Sequence, residues 1–151
     1  MSNNQVFELS LMARVTWNLH SLNNEGTVGN VTEPRTVVLA DGQKTDGVSG
    51  EMLKHVHTYN VWLLSPDKGI FCPSCARLQP QKADEPKYRK TISTKSNTEA
   101  MDKVIANCVL CDLHGFLVQE PAIARRSTVE FGWLVGLPSA TYREIHLHAL
   151  S

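Results

Sequence analysis

Four cysteines stand as two pairs, Cys72-Pro73-Ser74-Cys75 and Cys108-Val109-Leu110-Cys111. Two intervening residues let a tight turn aim both sulfurs of a pair at one point, and a second such pair closes a tetrahedron. Four thiolates so arranged are the ligand set of a structural zinc site, which keeps no coordination position open and so staples the chain rather than catalysing. Two other chemistries compete. Disulfides belong to oxidising compartments, and the opening stretch 1–10 has no basic region followed by an apolar one that would mark an export signal. A redox dithiol expects a strand-to-helix setting that neither pair shows. Zinc is therefore the expected cofactor, with Cys72, Cys75, Cys108 and Cys111 as ligands. His114, three residues past Cys111, is an alternative ligand or, more plainly, a loop histidine.

The segment tied off by these cysteines is the basic part of a neutral chain. Lys and Arg number 15, as do Asp and Glu. Yet residues 68–95 hold seven cations against two carboxylates, between flanks with a small negative excess. That segment reads either as a contact for a polyanion or as a solvated loop. With Pro80 and Pro86, with Lys82, Lys87, Arg89 and Lys90, and with little apolar periodicity, residues 76–107 are expected to form an insertion. The unit 68–112 is then a basic zinc-knuckle segment inside a single domain spanning 1–151. A chain of 151 residues suits one domain, burying roughly 70% of its unfolded surface. Its 42% hydrophobic content with zero net charge excludes a disordered class. No apolar run approaches the ~20 residues of a membrane span, so a non-membrane, cytoplasmic protein is expected.

Several elements must position these residues. From Phe7 to Leu19 the odd positions are all apolar and the even ones mostly polar, which predicts a long strand with one buried face and Arg14, Thr16, Asn18 and His20 on the other. Residues 21–35, rich in Asn, Gly and Thr, read as a loop offering short hydrogen-bonding groups. Thr36–Thr45 reads as a hairpin turning at Asp41-Gly42. Ser49 is a plausible N-cap for a helix over 50–63, stopped by Pro66, with Met52, Leu53, Val56, Tyr59 and Leu63 as its buried stripe. His57 reads as a partly buried packing residue. A weaker helix covers Thr98–Ile105, Val129–Leu137 alternates as a strand, and a last strand starts at Ile145. Strand, helix and strands together predict an α+β fold, best matched by a ferredoxin-like or RNA-recognition sheet with helices on one face.

Three stretches carry a resemblance, most specifically the first two. The run 9–14 (Leu-Ser-Leu-Met-Ala-Arg), leading into 21–26 (Ser-Leu-Asn-Asn-Glu-Gly), Gly29-Asn30 and Arg35, resembles the start of the DevR-type CRISPR-associated proteins. These are the Cas-seven (RAMP) backbone subunits of class 1 effector complexes, including type I Cascade. Residues 46–55, Asp-Gly-Val-Ser-Gly-Glu-Met-Leu-Lys-His, resemble the family's next segment, and 125–133 a later strand entry. The likeness covers about 7–64 and 107–148; the middle matches only through its cysteine pairs. It implies a modified ferredoxin-like, RNA-recognition palm, copies stacked head to tail along CRISPR RNA beside other Cascade subunits, and guide bases left free to pair with target DNA. Relatives of this family are longer, so the chain is expected to be a truncated palm.

That role asks for Arg and Lys toward phosphate and for Asn and Ser toward sugar and backbone groups. The residues so assigned are Ser21, Asn23, Asn24, Asn30, Arg35, Ser49, Lys54 and His55, with Arg125 and Arg126 behind them. No catalytic residue is expected. Two other functions compete with the RNA scaffold. A metal-dependent ribonuclease of the type III kind would need an acid beside the guide, for which Glu25, Glu33 or Asp41 are candidates, yet no carboxylate pair at diagnostic spacing is present. A zinc-stapled protein-interaction module would bind no nucleic acid at all.

Overall fold

The computed structural model describes residues 7–17, 24–28 and 31–142, with 24–28 and 31–34 given as backbone. Its elements run β1 (Asn24–Val28), β2 (Val31–Pro34), β3 (Thr36–Val38), β4 (Lys44–Val48), α1 (Gly50–Leu64), α2 (Pro73–Ala76), α3 (Pro86–Ile92), α4 (Asn97–Asn107), α5 (Val109–His114), β5 (Phe116–Val118), β6 (Ile123–Arg125) and β7 (Leu134–Val135). The α+β class expected from the pattern holds, with three antiparallel sheets among the described residues: β1-β2, β3-β4-β7 and β5-β6.

The hairpin centred on Asp41-Gly42 is present. Thr36, Val37 and Val38 pair with Asp46, Thr45 and Lys44. Gly42 turns the chain at φ +82°, and the Asp41 carboxylate accepts from the backbone N–H of Gln43 at 3.0 Å and from its side-chain amide at 2.9 Å. The second strand of this hairpin, β4, is the middle one of its sheet: Gly47 and Val48 pair with Val135 and Leu134 on the far side. Only these two residues of the alternating run 129–137 form a strand. Thr45, buried between the neighbours, donates its hydroxyl to the Gly136 carbonyl at 2.9 Å.

Two readings of the N-terminal part are corrected. Residues 7–17 form no strand, and Phe7, Leu11 and Met12 are 93%, 87% and 100% exposed. Alternation prepares a face for burial, but a strand also needs a partner for its backbone groups, and no described strand pairs with 7–17. Residues 24–28 and 31–34, expected as loop, are instead the paired antiparallel strands β1 and β2, with Val28 opposite Val31. The strand expected from Ile145 lies outside the described residues.

The helix expected over 50–63 is α1. Ser49 caps it, its hydroxyl accepting from Met52 N–H at 3.3 Å, and Pro66 follows the C-cap Ser65. Lys68 closes the other end by donating to the carbonyls of Trp62 and of Ser65, the latter at 2.8 Å, where a cation also suits the helix dipole. The buried face differs from expectation. Met52, Val56, Tyr59 and Leu63 lie on the water side, whereas Val61 and Trp62 pack on the core. The rule of threes and fours finds a stripe, but the neighbour that covers it is decided elsewhere in the chain.

That neighbour is the stretch read as an insertion. Phe71, Ala83, Ile92, Ala100, Val104, Leu110, Phe116, Val118, Ile123 and the four cysteines make one buried cluster. Residues 76–107 are largely helical: Pro86 opens α3 at its first position, where its missing N–H costs nothing, and α4 buries Ala100 and Val104. The molecule's core is built around the cysteines rather than beside them.

Gly115 ends α5 at φ +69°, and a Cβ there would strike the Arg125 backbone carbonyl. Gly42 shares the positive φ, but a Cβ there would meet open space. Gly115→Ala should therefore cost about 1–3 kcal/mol and Gly42→Ala only about 1 kcal/mol. Urea titration of both variants checks this; equal losses would show that crowding at Gly115 plays no part.

Candidate metal centre and the residues around it

Each cysteine pair is built in the same way. Cys72 is the N-cap of α2, Pro73 fixes its first helical position, and Cys75 lies in the turn that follows. Cys108 is at once the C-cap of α4 and the N-cap of α5, and its sulfur accepts from Cys111 N–H at 3.4 Å. A helix start thus points the second sulfur of each pair back toward the first. The four residues are 0–2% exposed, and none is in a disulfide.

All four Sγ atoms lie within 4.8 Å of one another. Cys72 and Cys75 sulfurs stand 3.8 and 3.7 Å from that of Cys111, far beyond the roughly 2.0 Å of an S–S bond. A tetrahedron built on metal–sulfur bonds of about 2.3 Å has an edge of about 3.8 Å. The cage already has the size of a four-thiolate metal site. Its electrostatics agree. Hydrogen bonds from neighbouring thiols, Cys108 first, hold Cys72 well below the usual thiol range, while the bond with Cys108 and the other sulfurs pushes Cys111 far above it. Four adjacent thiols resist losing all their protons by themselves, and a divalent cation removes that conflict. These four residues can hold a metal ion.

Around the cage, Trp62 donates its indole N–H to the Ala76 carbonyl at 2.9 Å, joining α1 to the first pair. His114 is no loop histidine. It is the last residue of α5 and 4% exposed, outside the four-sulfur group, with Nε2 3.0 Å from Nδ1 of His57. His57, partly buried as expected, also packs against Phe131.

The residues assigned to RNA are scattered. Ser21, Asn23 and Asn30 lie outside the described residues, and Asn24 is the first residue of β1. Ser49 is buried with its hydroxyl engaged as a cap, so its place is structural. Arg35 holds its guanidinium 5.6 Å over the Trp133 ring, while Lys54 and the exposed His55 open α1. Arg125 pairs with Asp112 at 2.6 Å, and Arg126, largely exposed, pairs with Glu130 at 2.8 Å.

No helix among the described residues is long and apolar enough to cross a membrane. No curated protein and no solved structure matches the chain. A family model described as the CRISPR-associated negative auto-regulator DevR/Csa2 matches residues 11–150. The chain belongs to the DevR/Csa2 family. Its match runs through the cysteine pairs as well as the flanks, so in this DevR/Csa2 member the thiol cage lies inside the family's own span.

Proposed function

We propose that this DevR/Csa2 protein is a non-catalytic, RNA-binding subunit of a Cascade-type complex, holding CRISPR RNA so that guide bases pair with target DNA. In this reading the chain belongs to a ferredoxin-like, RNA-recognition palm, copies stack head to tail beside other Cascade subunits, and the assembly works in the cytoplasm. The supporting observation is the family match over residues 11–150. The thiol cage is assigned to zinc, since four cysteines suit that ion and leave it no open position. The metal then fixes the core and takes no part in bond making. The acids considered for a nuclease add little: Asp41 is engaged in its own turn.

Purification of the chain with its Cas partners should bring down a discrete RNA, seen by absorbance ratio and on a denaturing gel. Substituting Asn23, Asn24 and Arg35 together by Ala should weaken guide binding at least about tenfold, with circular dichroism unchanged and a salt slope reduced by about one unit for the lost cation. Absence of RNA from the assembled complex would overturn the reading, and cleavage of matching RNA with magnesium would overturn its non-catalytic part.

A further inference from the structure

The segment 68–95 holds seven of the chain's cations, and the fold gives four of them roles of their own. Lys68 closes α1, Arg77 pairs with Glu85 at 2.6 Å, and Arg89 lies 3.6 Å from Asp84. Lys82 is half-buried, with its charge toward Cys75, Cys111 and Cys108. The other three, Lys87, Lys90 and Lys95, are exposed and make no ion pair or hydrogen bond among the described residues. Residues 86–98, which carry them, contain no carboxylate at all.

Their placement follows from how α3 packs. Ile92 is buried inside the cysteine cluster and Tyr88 packs against it, so the opposite side of the helix, with Lys87, Lys90 and Thr91, faces water. Lys87 and Lys90 stand three residues apart, where helical side chains are neighbours. Lys95 follows in the link to α4. Local helix stability does not explain this pair. Lys87 is the second residue of α3, at the end where the dipole disfavours a cation, and two like charges side by side repel. A face that serves solubility alone mixes signs, as α4 does with exposed Glu99, Asp102 and Lys103. A face of one sign, kept against the preference of its own helix, suits a polyanion.

The side chains say which polyanion. Ammonium groups are compact point charges without the planar fork by which arginine reads base edges, and Arg77 and Arg89 are engaged with acids. Single strands are held by aromatic rings on which bases stack. No aromatic ring is exposed on this face, since Tyr88 packs on the core. Charge without stacking or base readout is the chemistry that meets a double-helical sugar–phosphate backbone. We propose that Lys87, Lys90 and Lys95 form a sequence-independent docking surface for duplex DNA. The duplex lies along the outer side of α3 with its phosphates toward the three ammonium groups, and the exposed Ser93 adds a short polar contact. The surface goes beyond the guide-holding role and does not depend on it, because duplex DNA alone tests it. Ile92 ties α3 to the buried cysteines, so the cage holds the basic face in place.

The test uses the full chain, zinc-loaded, with a short fluorescent duplex DNA of arbitrary sequence and with matched single-stranded DNA and RNA as further probes. Anisotropy titrations across a salt series should give duplex binding with a log–log slope of about −2.7, as three phosphate contacts require. Lys87→Gln and Lys90→Gln should each flatten the slope by about 0.9 and weaken binding about twofold to threefold. The triple Gln variant, Lys95 included, should lose at least about tenfold, with zinc content and melting temperature unchanged. Lys87→Arg and Lys90→Arg, which keep the charge, should bind as the wild type does, and so should Lys44→Gln in β4. In the assembled complex the triple variant should still bring down guide RNA, so this surface and the guide-holding reading fail separately. A triple variant that binds duplex with wild-type affinity and slope would overturn the proposal. So would a lysine-dependent preference for single-stranded DNA or RNA, or the absence of duplex binding at low salt.

Discussion

Replacing Cys72 or Cys108 by serine should release about one zinc per chain and abolish the cooperative melting of the unit from Phe71 to Ile123. The size of the effect follows from where the ligands sit. The sulfurs are packed among Ile92, Val104 and Leu110, not on a peripheral loop, so losing the ion costs more than a tether. Structural zinc sites in small domains contribute on the order of 10 kcal/mol of metal-linked stability, well above what one core methylene supplies. A serine also leaves three buried thiols without their cation. Elemental analysis and thermal denaturation of wild type and variants check this. A wild type without zinc, or a Cys108→Ser protein that keeps both metal and melting temperature, would refute it.

Acid should loosen the same core through His114. Burial first, then the charges of Lys82, His57 and Lys54, push its pKa down to about 4 from an ordinary 6.5. The unfolded chain therefore binds this proton at a higher pH than the folded one. The contribution is fully present above pH 6.5, shrinks as pH falls and is exhausted near pH 4, on the order of 3 kcal/mol in total. Denaturant midpoints at pH 7.5, 5.5 and 4.5, with metal content followed in parallel, measure it. In His114→Gln the slope between 6.5 and 4.5 should shrink by about one proton; an unchanged slope would place the uptake elsewhere.

What the sequence made legible was local chemistry. The cysteine pairs declare themselves because two ligands on one turn need a fixed short spacing. Ser49 announces a helix because its hydroxyl serves an N–H three residues away, and Asp41-Gly42 a turn because few residues tolerate its angles. What stayed hidden depends on partners far along the chain. The stripe Met52-Val56-Tyr59-Leu63 has helical spacing, but Val61 and Trp62 are the residues that face the core. Phe7 to Trp17 is apolar at every odd position, with no described strand to pair with it. His57 and His114, 57 residues apart, meet at 3.0 Å, and no spacing rule joins them. Arg125 was singled out as a cation, but only the folded chain pairs it with Asp112, 13 residues back.

The indole of Trp62 gives the metal site mechanical reach. Because its N–H is anchored on the carbonyl that follows the first cysteine pair, the long helix and that knuckle behave as a single lever. A pull transmitted along α1 by any neighbouring molecule arrives at two of the four sulfurs, and a distorted cage would in turn tilt the helix.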